Sequence, residues 1–169
     1  MVLKVGYVLT DERETSGTPR FRFYNPKKYF SKDVYAEIYK PSEKYDVVVF
    51  TKRFTNGDIE LAKKLDCVKI FDINDNFFEL SQYVTKDELN NCIMMASICD
   101  AVITPSRYIR DQAQKYNSKS IWIPDFIDDV EETNLVLSWH GLASNVNQLL
   151  QHIVLGIFML ISFVHLFYH

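Results

Sequence analysis

Cysteine is scarce in this sequence, which has three cysteines among 169 residues. Cys67, Cys92 and Cys99 are odd in number, and their spacing lacks the paired pattern of a zinc site. We interpret them as small buried apolar side chains, because free cysteine is commonly buried. The sequence also lacks an apolar leader before its first strand-like segment. A reducing, cytoplasmic location is therefore expected.

A concentration of charge of one sign is also missing. The chain has 19 basic and 22 acidic residues, a net charge of −3, and the basic residues are spread along its length. Proteins that bind nucleic acids usually carry a basic patch or stripe, so nucleic acid is not expected as a partner. The loop before Arg20 contains one glycine, Gly17, which falls short of a glycine-rich phosphate-binding fingerprint. No internal repeat or low-complexity tract is present.

What the sequence does contain is a regular alternation of short apolar runs and amphipathic segments. The apolar runs are rich in β-branched residues, as in strands that are buried on both faces of a parallel sheet. Strands are predicted at residues 4–10, 34–39, 45–50, 68–71, 100–104 and 120–124, the second as an edge strand. Helices are predicted at residues 20–30, at 58–65 capped by Asp58, from the capping box of Thr85, and from Ser106 to about residue 116. This order predicts an α/β protein with a doubly wound parallel sheet.

The predicted strand at residue 68 runs directly into a polar cluster. The cluster contains Asp72, Asn74, Asp75 and Asn76. Ligands of open α/β sheets bind at the carboxyl ends of the strands. We therefore take Asp72 and Asp75 as the first candidate functional residues. The alternative is that they cap a turn and pair with Lys52 or Arg53 across the same edge.

Other candidates follow the neighbouring predicted strands. Gly17 and the Pro after it precede a helix start, where exposed N–H groups and the nearby Arg20 and Arg22 suit an anion. Lys52 follows another strand, and Ser106 begins a later helix at the same edge. The alternative is a solvated turn whose arginines pair with the acidic residues at positions 11, 12 and 14.

The last part of the chain has a different character. Residues 1–128 are predicted to form the α/β domain, 129–147 a linker and the start of a second βα unit, and 148–169 an apolar helical tail. The 16 residues 153–168 would span about 24 Å as a helix, against about 30 Å for the hydrocarbon core. The alternatives left open are a membrane-spanning tail, an interfacial or oligomer-forming helix, and a remnant that packs on the domain.

Taken together, these segments resemble the N-terminal, acceptor-side half of two-domain glycosyltransferases of the Rossmann-like GT-B class. The resemblance covers roughly residues 3–147 and depends on the order and spacing of its motifs. These are the Gly17 loop with Arg20-Phe21-Arg22, Tyr45-Asp46-Val47-Val48-Val49-Phe50, Phe71-Asp72-Ile73-Asn74-Asp75-Asn76, Asp100-Ala101-Val102-Ile103-Thr104-Pro105-Ser106 and Trp139-His140-Gly141.

The resemblance implies transfer of a sugar from a nucleotide-sugar co-substrate to a glycan or lipid-linked acceptor, without a metal or other cofactor. Asp72 or Asp75 would take the proton of the acceptor hydroxyl. The resemblance further implies that Gly17, Arg20 and Ser106 face the acceptor cleft, and that His140 and Gly141 face the donor diphosphate. Arg22, Lys52 and Asn76, at the same predicted edge, complete the candidate substrate-binding residues.

The resemblance does not extend over both domains of a complete enzyme. A second domain would need on the order of 150 further residues, so the donor half is expected to be largely missing and the chain alone to be inert. The alternative is a noncatalytic α/β binding or receiver-like module, tethered to a membrane by its tail. A receiver would need a Lys where this chain has Pro124-Asp125.

Overall fold

The structure, a computed structural model, describes residues 2–125 of the chain. The predicted second βα unit, with His140 and Gly141, and the predicted apolar helical tail lie outside the described residues.

The described residues contain a six-stranded, wholly parallel sheet with the strand order β2-β1-β3-β4-β5-β6. The prediction of an α/β protein with a parallel sheet is confirmed, including the edge position of β2. The strands are β1 Leu3–Val8, β2 Val34–Ile38, β3 Val47–Thr51, β4 Val68–Asp72, β5 Ala101–Thr104 and β6 Ser120–Trp122.

The first helical segment begins earlier than predicted and is irregular. It consists of α1 Gly17–Pro19, a π-helical turn Arg20–Tyr24 and α2 Asn25–Lys27. The prediction of a helix start at Arg20 was wrong because Thr18 and Pro19 are themselves helical, and proline is well tolerated in the first turn of a helix. π-Helical turns are rare in proteins, and those that occur often lie at functional sites.

The remaining helices are α3 Asn56–Lys64, α4 Lys86–Ile98 and α5 Arg107–Ala113. The predicted caps Thr85 and Ser106 are confirmed, since each accepts a hydrogen bond from a backbone N–H in the first turn of its helix. The prediction that Asp58 caps α3 was wrong. Thr55 is the N-cap, and Asp58 is the third helical residue of a capping box with it, because the helix starts two residues before Asp58.

The two faces of the sheet carry different layers. On the first face, α3, α4 and α5 pack on a core that includes Val48, Phe50, Phe71 and Val102. On the second face, the first helical segment and its neighbours cover a smaller core around Val5, Phe23, Ala36 and Val49. Side chains alternate between faces along a strand, so Thr51 and Asp72 share the second face with Val49 and Ile70.

The connection from β2 to β3 crosses β1 without a helix. Tyr45, just before β3, lies against Gly6 of β1, where an added Cβ would come within 2.9 Å of the tyrosine ring. The backbone N–H of Asp46 also donates to the carbonyl of Lys4 at 2.9 Å. Gly6 therefore leaves the space in which the chain passes over the sheet and reaches the other side of β1.

Candidate functional site

The carboxyl edge of the sheet has a topological switch point between β1 and β3. The segment after β1 leads to the helical segment on the second face, whereas the segment after β3 leads to α3 on the first face. Diverging connections of this kind open a crevice at the carboxyl ends of the strands, which is where ligands of open α/β sheets bind. The residues after β1, β3 and β4 therefore define the candidate site.

A buried ion pair between Arg22 and Asp72 lies at this edge. Arg22 Nε donates to both carboxylate oxygens of Asp72 at 3.0 Å, and Nη2 donates to Oδ1 at 2.5 Å. Arg22 is 9% exposed and Asp72 is 4% exposed. Arg22 Nη1 also donates to the carbonyl of Ile123 and to Asp125 Oδ1, both at 3.2 Å. One guanidinium thus joins the π-helical turn, the end of β4 and the residues after β6.

The electrostatics of this pair extend to Tyr7 on β1. Burial raises the pKa of the Asp72 carboxyl, against the hydrogen bonds and charge of Arg22. Burial opposes the charged form of Arg22, but hydrogen bonds and the charges of Asp72 and Asp125 leave its pKa raised. Burial and the charge of Asp72 raise the pKa of Tyr7 to about 12. We infer that the Arg22–Asp72 pair stays ionised, because both oxygens of the carboxylate are engaged by a guanidinium.

Lys52 follows β3 in a left-handed backbone conformation. Its φ is 52°, the only positive φ of a residue other than glycine in the described part of the chain. Its N–H donates to the carbonyl of Asp72 at 2.7 Å. Its ammonium pairs with Asp75 and lies 5.5 Å from the centre of the Phe77 ring. Left-handed residues other than glycine are uncommon and cluster at functional sites.

The structure therefore separates the pairings that the sequence left open. Asp75 pairs with Lys52, as the alternative proposed. Asp72 pairs with Arg22, and Arg53 pairs with Asp58 of α3 instead. The alternative in which Arg22 meets the acidic residues before the helix is wrong, since Arg22 turns into the sheet.

Two further polar side chains of the second face complete the edge. Asn74 Nδ2 donates to Thr18 Oγ1 at 2.9 Å, which ties the segment after β4 to α1. Thr51 is fully buried, and neither its hydroxyl nor Asn74 Oδ1 has a hydrogen-bond partner among the described residues. Such atoms are uncommon in folded proteins and call for a ligand, a water molecule or a movement that satisfies them. Thr51 and Thr18 were not predicted as site residues, because nothing local in the sequence marks them.

Other predicted residues lie around this cluster. Gly17 is the first residue of α1 and is exposed. The guanidinium of Arg20 lies 4.4 Å from the centre of the Phe21 ring, and its Nε is buried without a partner among the described residues. Asn76 accepts from the N–H of Phe78 at 3.2 Å and donates to Glu79 at 3.0 Å. Ser106 caps α5, and His140 and Gly141 lie outside the described residues.

Residues 2–125 show neither a metal cluster nor a membrane-spanning helix. No group of three or more His, Cys, Asp or Glu side chains in that range is arranged to hold a metal ion. No helix in the same range combines the length and apolar character needed to cross a membrane.

The fold and the edge cluster define an α/β protein with a polar crevice at the switch point of a parallel sheet. Comparisons of the chain with protein-family models, with curated proteins and with solved structures found no match. Its function is therefore proposed from its own geometry.

Proposed function

We propose that residues 2–125 form a Rossmann-like, acceptor-binding domain of a GT-B class glycosyltransferase, which holds a saccharide acceptor at the carboxyl edge of the sheet. The observation that carries the proposal is a pair of buried polar atoms without partners at this edge, Thr51 Oγ1 and Asn74 Oδ1, which a ligand would reach once neighbouring side chains move aside. Thr51 is the last residue of β3, and Asn74 lies two residues after the end of β4.

The chemistry of the edge fits a hydroxylated ligand. Asn74 Oδ1 is an acceptor, Thr51 Oγ1 is both donor and acceptor, and Lys52 is a donor beside the acceptor Asp75. Sugar hydroxyls both donate and accept, so they match such a mixture better than a phosphate, which only accepts when fully ionised. The left-handed Lys52 and the π-helical turn support a functional role for the same edge.

Within this proposal the two predicted carboxylates have different roles. Asp75 is exposed and is the base that an acceptor hydroxyl can reach once Lys52 moves aside. Asp72 is buried with both oxygens bonded to Arg22, so it positions the π-helical turn in this conformation. Its action as a base remains a prediction that requires Arg22 to release it.

Saccharide binding to the full chain tests the proposal. We would titrate methyl glycosides of glucose, galactose, mannose and N-acetylglucosamine by calorimetry. Replacement Asn74→Ala should weaken binding by roughly fivefold to tenfold, the worth of one hydrogen bond. The matched control is Asn90→Ala, because Asn90 is exposed on α4, on the other face of the sheet. Circular dichroism would establish that both variants fold.

Two results would overturn the proposal. One is the absence of measurable binding for every methyl glycoside. The other is equal affinity of Asn74→Ala, Asn90→Ala and the unchanged chain for the glycoside that binds, since the saccharide would then lie elsewhere.

A noncatalytic saccharide-binding module is the second candidate, favoured by the full engagement of Asp72 by Arg22. The two candidates differ in turnover. Release of nucleoside diphosphate from a panel of nucleotide-sugars, in the presence of a bound glycoside, would support the transferase. Saccharide binding without release of nucleoside diphosphate would support the binding module. The release should also be absent when the chain is mixed with a separately produced donor-binding domain of a GT-B glycosyltransferase.

A further inference from the structure

An apolar trough runs along the second face of the sheet beside the polar edge. It has a volume of about 530 Å³, within the usual range of ligand pockets. Among residues 2–125, the first helical segment is the only helical element in the core on this face. Val47 of β3, Ile70 of β4 and Ile103 of β5 remain partly exposed in the described part of the chain. The trough is lined chiefly by Phe21, Val47, Val49, Ile70, Ile103 and Ile123.

The trough is apolar along the strands and charged at one end. Val47 is the first residue of β3 and Asp72 the last residue of β4, so the trough follows the strands from their amino ends to the carboxyl edge. A strand of this length spans about 17 Å. At the carboxyl edge Asp72, Arg22 and Asp125 form its charged end.

The charges at that end argue against an anionic head group. Arg22 is the only cationic residue that lines the trough in the described part of the chain, and it faces the carboxylates of Asp72 and Asp125. The side chain of Asp125 is 43% exposed. An anionic head group would meet an excess of negative charge there, whereas a neutral hydroxyl can donate a hydrogen bond to Asp125.

We propose that the trough binds the hydrocarbon chain of a neutral amphiphile whose hydroxylated head group lies at Asp125. This inference rests on the proposed function and narrows its acceptor to a glycoside with a long alkyl chain. The apolar chain lies on the open sheet face, and the sugar lies at the carboxyl edge, where the polar cluster is. Burial of apolar surface supplies most of the affinity, and the polar end supplies orientation.

The test compares four probes, octyl β-glucoside, methyl β-glucoside, octanoate and octylamine, on the full chain by calorimetry, with the alkyl glycoside kept below its micelle concentration. Octyl β-glucoside should bind with a single saturable site, at least about tenfold more tightly than methyl β-glucoside, because each buried methylene adds to affinity. Octanoate, which has an anionic head group, should bind at least about tenfold more weakly than octyl β-glucoside.

A pair of variants locates the chain in the trough. Ile103→Lys places a charge in the trough and should weaken octyl β-glucoside binding at least about tenfold. Met94→Lys is the control, because Met94 is 46% exposed on α4, on the other side of the sheet. Ile103→Phe narrows the trough without adding charge and should also weaken binding. It serves as the second test if Ile103→Lys fails to fold.

The outcomes separate this inference from the proposed function. Two results would overturn the proposal that the alkyl chain binds in the trough and leave the proposed saccharide site at the edge unaffected. They are equal binding of methyl and octyl β-glucoside, and unchanged octyl β-glucoside binding in both Ile103 variants. A tighter complex with octanoate, or with the cation of octylamine, would overturn the neutral head group. Failure of the octyl glycoside and of every methyl glycoside to bind would overturn both proposals.

Discussion

At the scale of single residues, the Arg22–Asp72 pair connects parts of the chain that are far apart in sequence. Its two residues are 50 positions apart, and the contact of Arg22 with Asp125 spans 103 positions. Removing one member of a buried ion pair leaves an uncompensated charge, which costs more than the pair itself contributes. This asymmetry makes the pair testable.

Asp72→Asn should lower the free energy of unfolding by up to about 3–5 kcal/mol, because Arg22 would remain buried beside a neutral amide with the partly exposed Asp125 as its remaining carboxylate partner. Urea denaturation followed by circular dichroism measures the change. Asp111→Asn is the control, since Asp111 pairs with Arg110 on the exposed surface of α5, and it should cost less than about 1 kcal/mol. A loss for Asp72→Asn as small as that of the control would contradict a buried, ionised pair.

Tyr7 gives a pH dependence at the same location. Its pKa is raised from 10.0 to about 12 by burial and the charge of Asp72. Between these values the unfolded tyrosine has lost its proton while the folded one keeps it, so the unfolded state binds fewer protons. The free energy of unfolding should therefore fall as pH rises through this window.

Tyr7→Phe removes that contribution and keeps the ring. Unfolding measured at several pH values between 10 and about 12 should give a shallower decline for Tyr7→Phe than for the unchanged protein, by up to roughly 2–3 kcal/mol at the top of the range. Identical declines would show that Tyr7 does not titrate with a raised pKa.

At the scale of elements, the crossing of β1 by the segment before β3 depends on Gly6. A Cβ at this position would lie 2.9 Å from ring atoms of Tyr45, so the ring or the strand must move in Gly6→Ala. Overpacking of this kind costs about 1–3 kcal/mol. Thermal unfolding should show the loss.

Gly57→Ala is the matched control for Gly6→Ala. Gly57 is helical in α3, and an added Cβ would find no atom nearer than 3.8 Å. Alanine there should be neutral or stabilise the protein by up to about 1 kcal/mol. Equal effects of the two substitutions would mean that the strand crossing does not need the space at Gly6.

Element positions were largely predictable from the sequence, because they depend on local patterns. β3 is a β-branched run, and α4 begins with the Thr85 and Glu88 capping box, so both were found within a few residues. The start of the first helical segment and its π-helical turn were not predicted. They are fixed by tertiary contacts, including Arg22 with Asp72 and Asn74 with Thr18.

At the scale of the whole molecule, the sequence predicted where the site lies better than which side chains form it. Parallel strands bring their carboxyl ends to one edge, so Lys52, Asp72 and Asp75 were expected near one another. The choice of partners was not predictable, because a carboxylate with several cations within reach is assigned by the packing of distant segments. Thr51 is the clearest example. Its proposed role depends on a buried hydroxyl without a hydrogen-bond partner among the described residues, and only the folded structure shows this.

The central claim is that a saccharide acceptor binds at the carboxyl edge between β1, β3 and β4. Backbone amide chemical shifts of the full chain, recorded by NMR as the tightest-binding methyl glycoside is added, test it most directly. The account predicts the largest shifts at Thr18, Thr51, Lys52, Asn74 and Asp75, and none at the amino edge around Asp46 and Val68. Shifts confined to the amino edge or to the outer surfaces of α4 and α5 would contradict it.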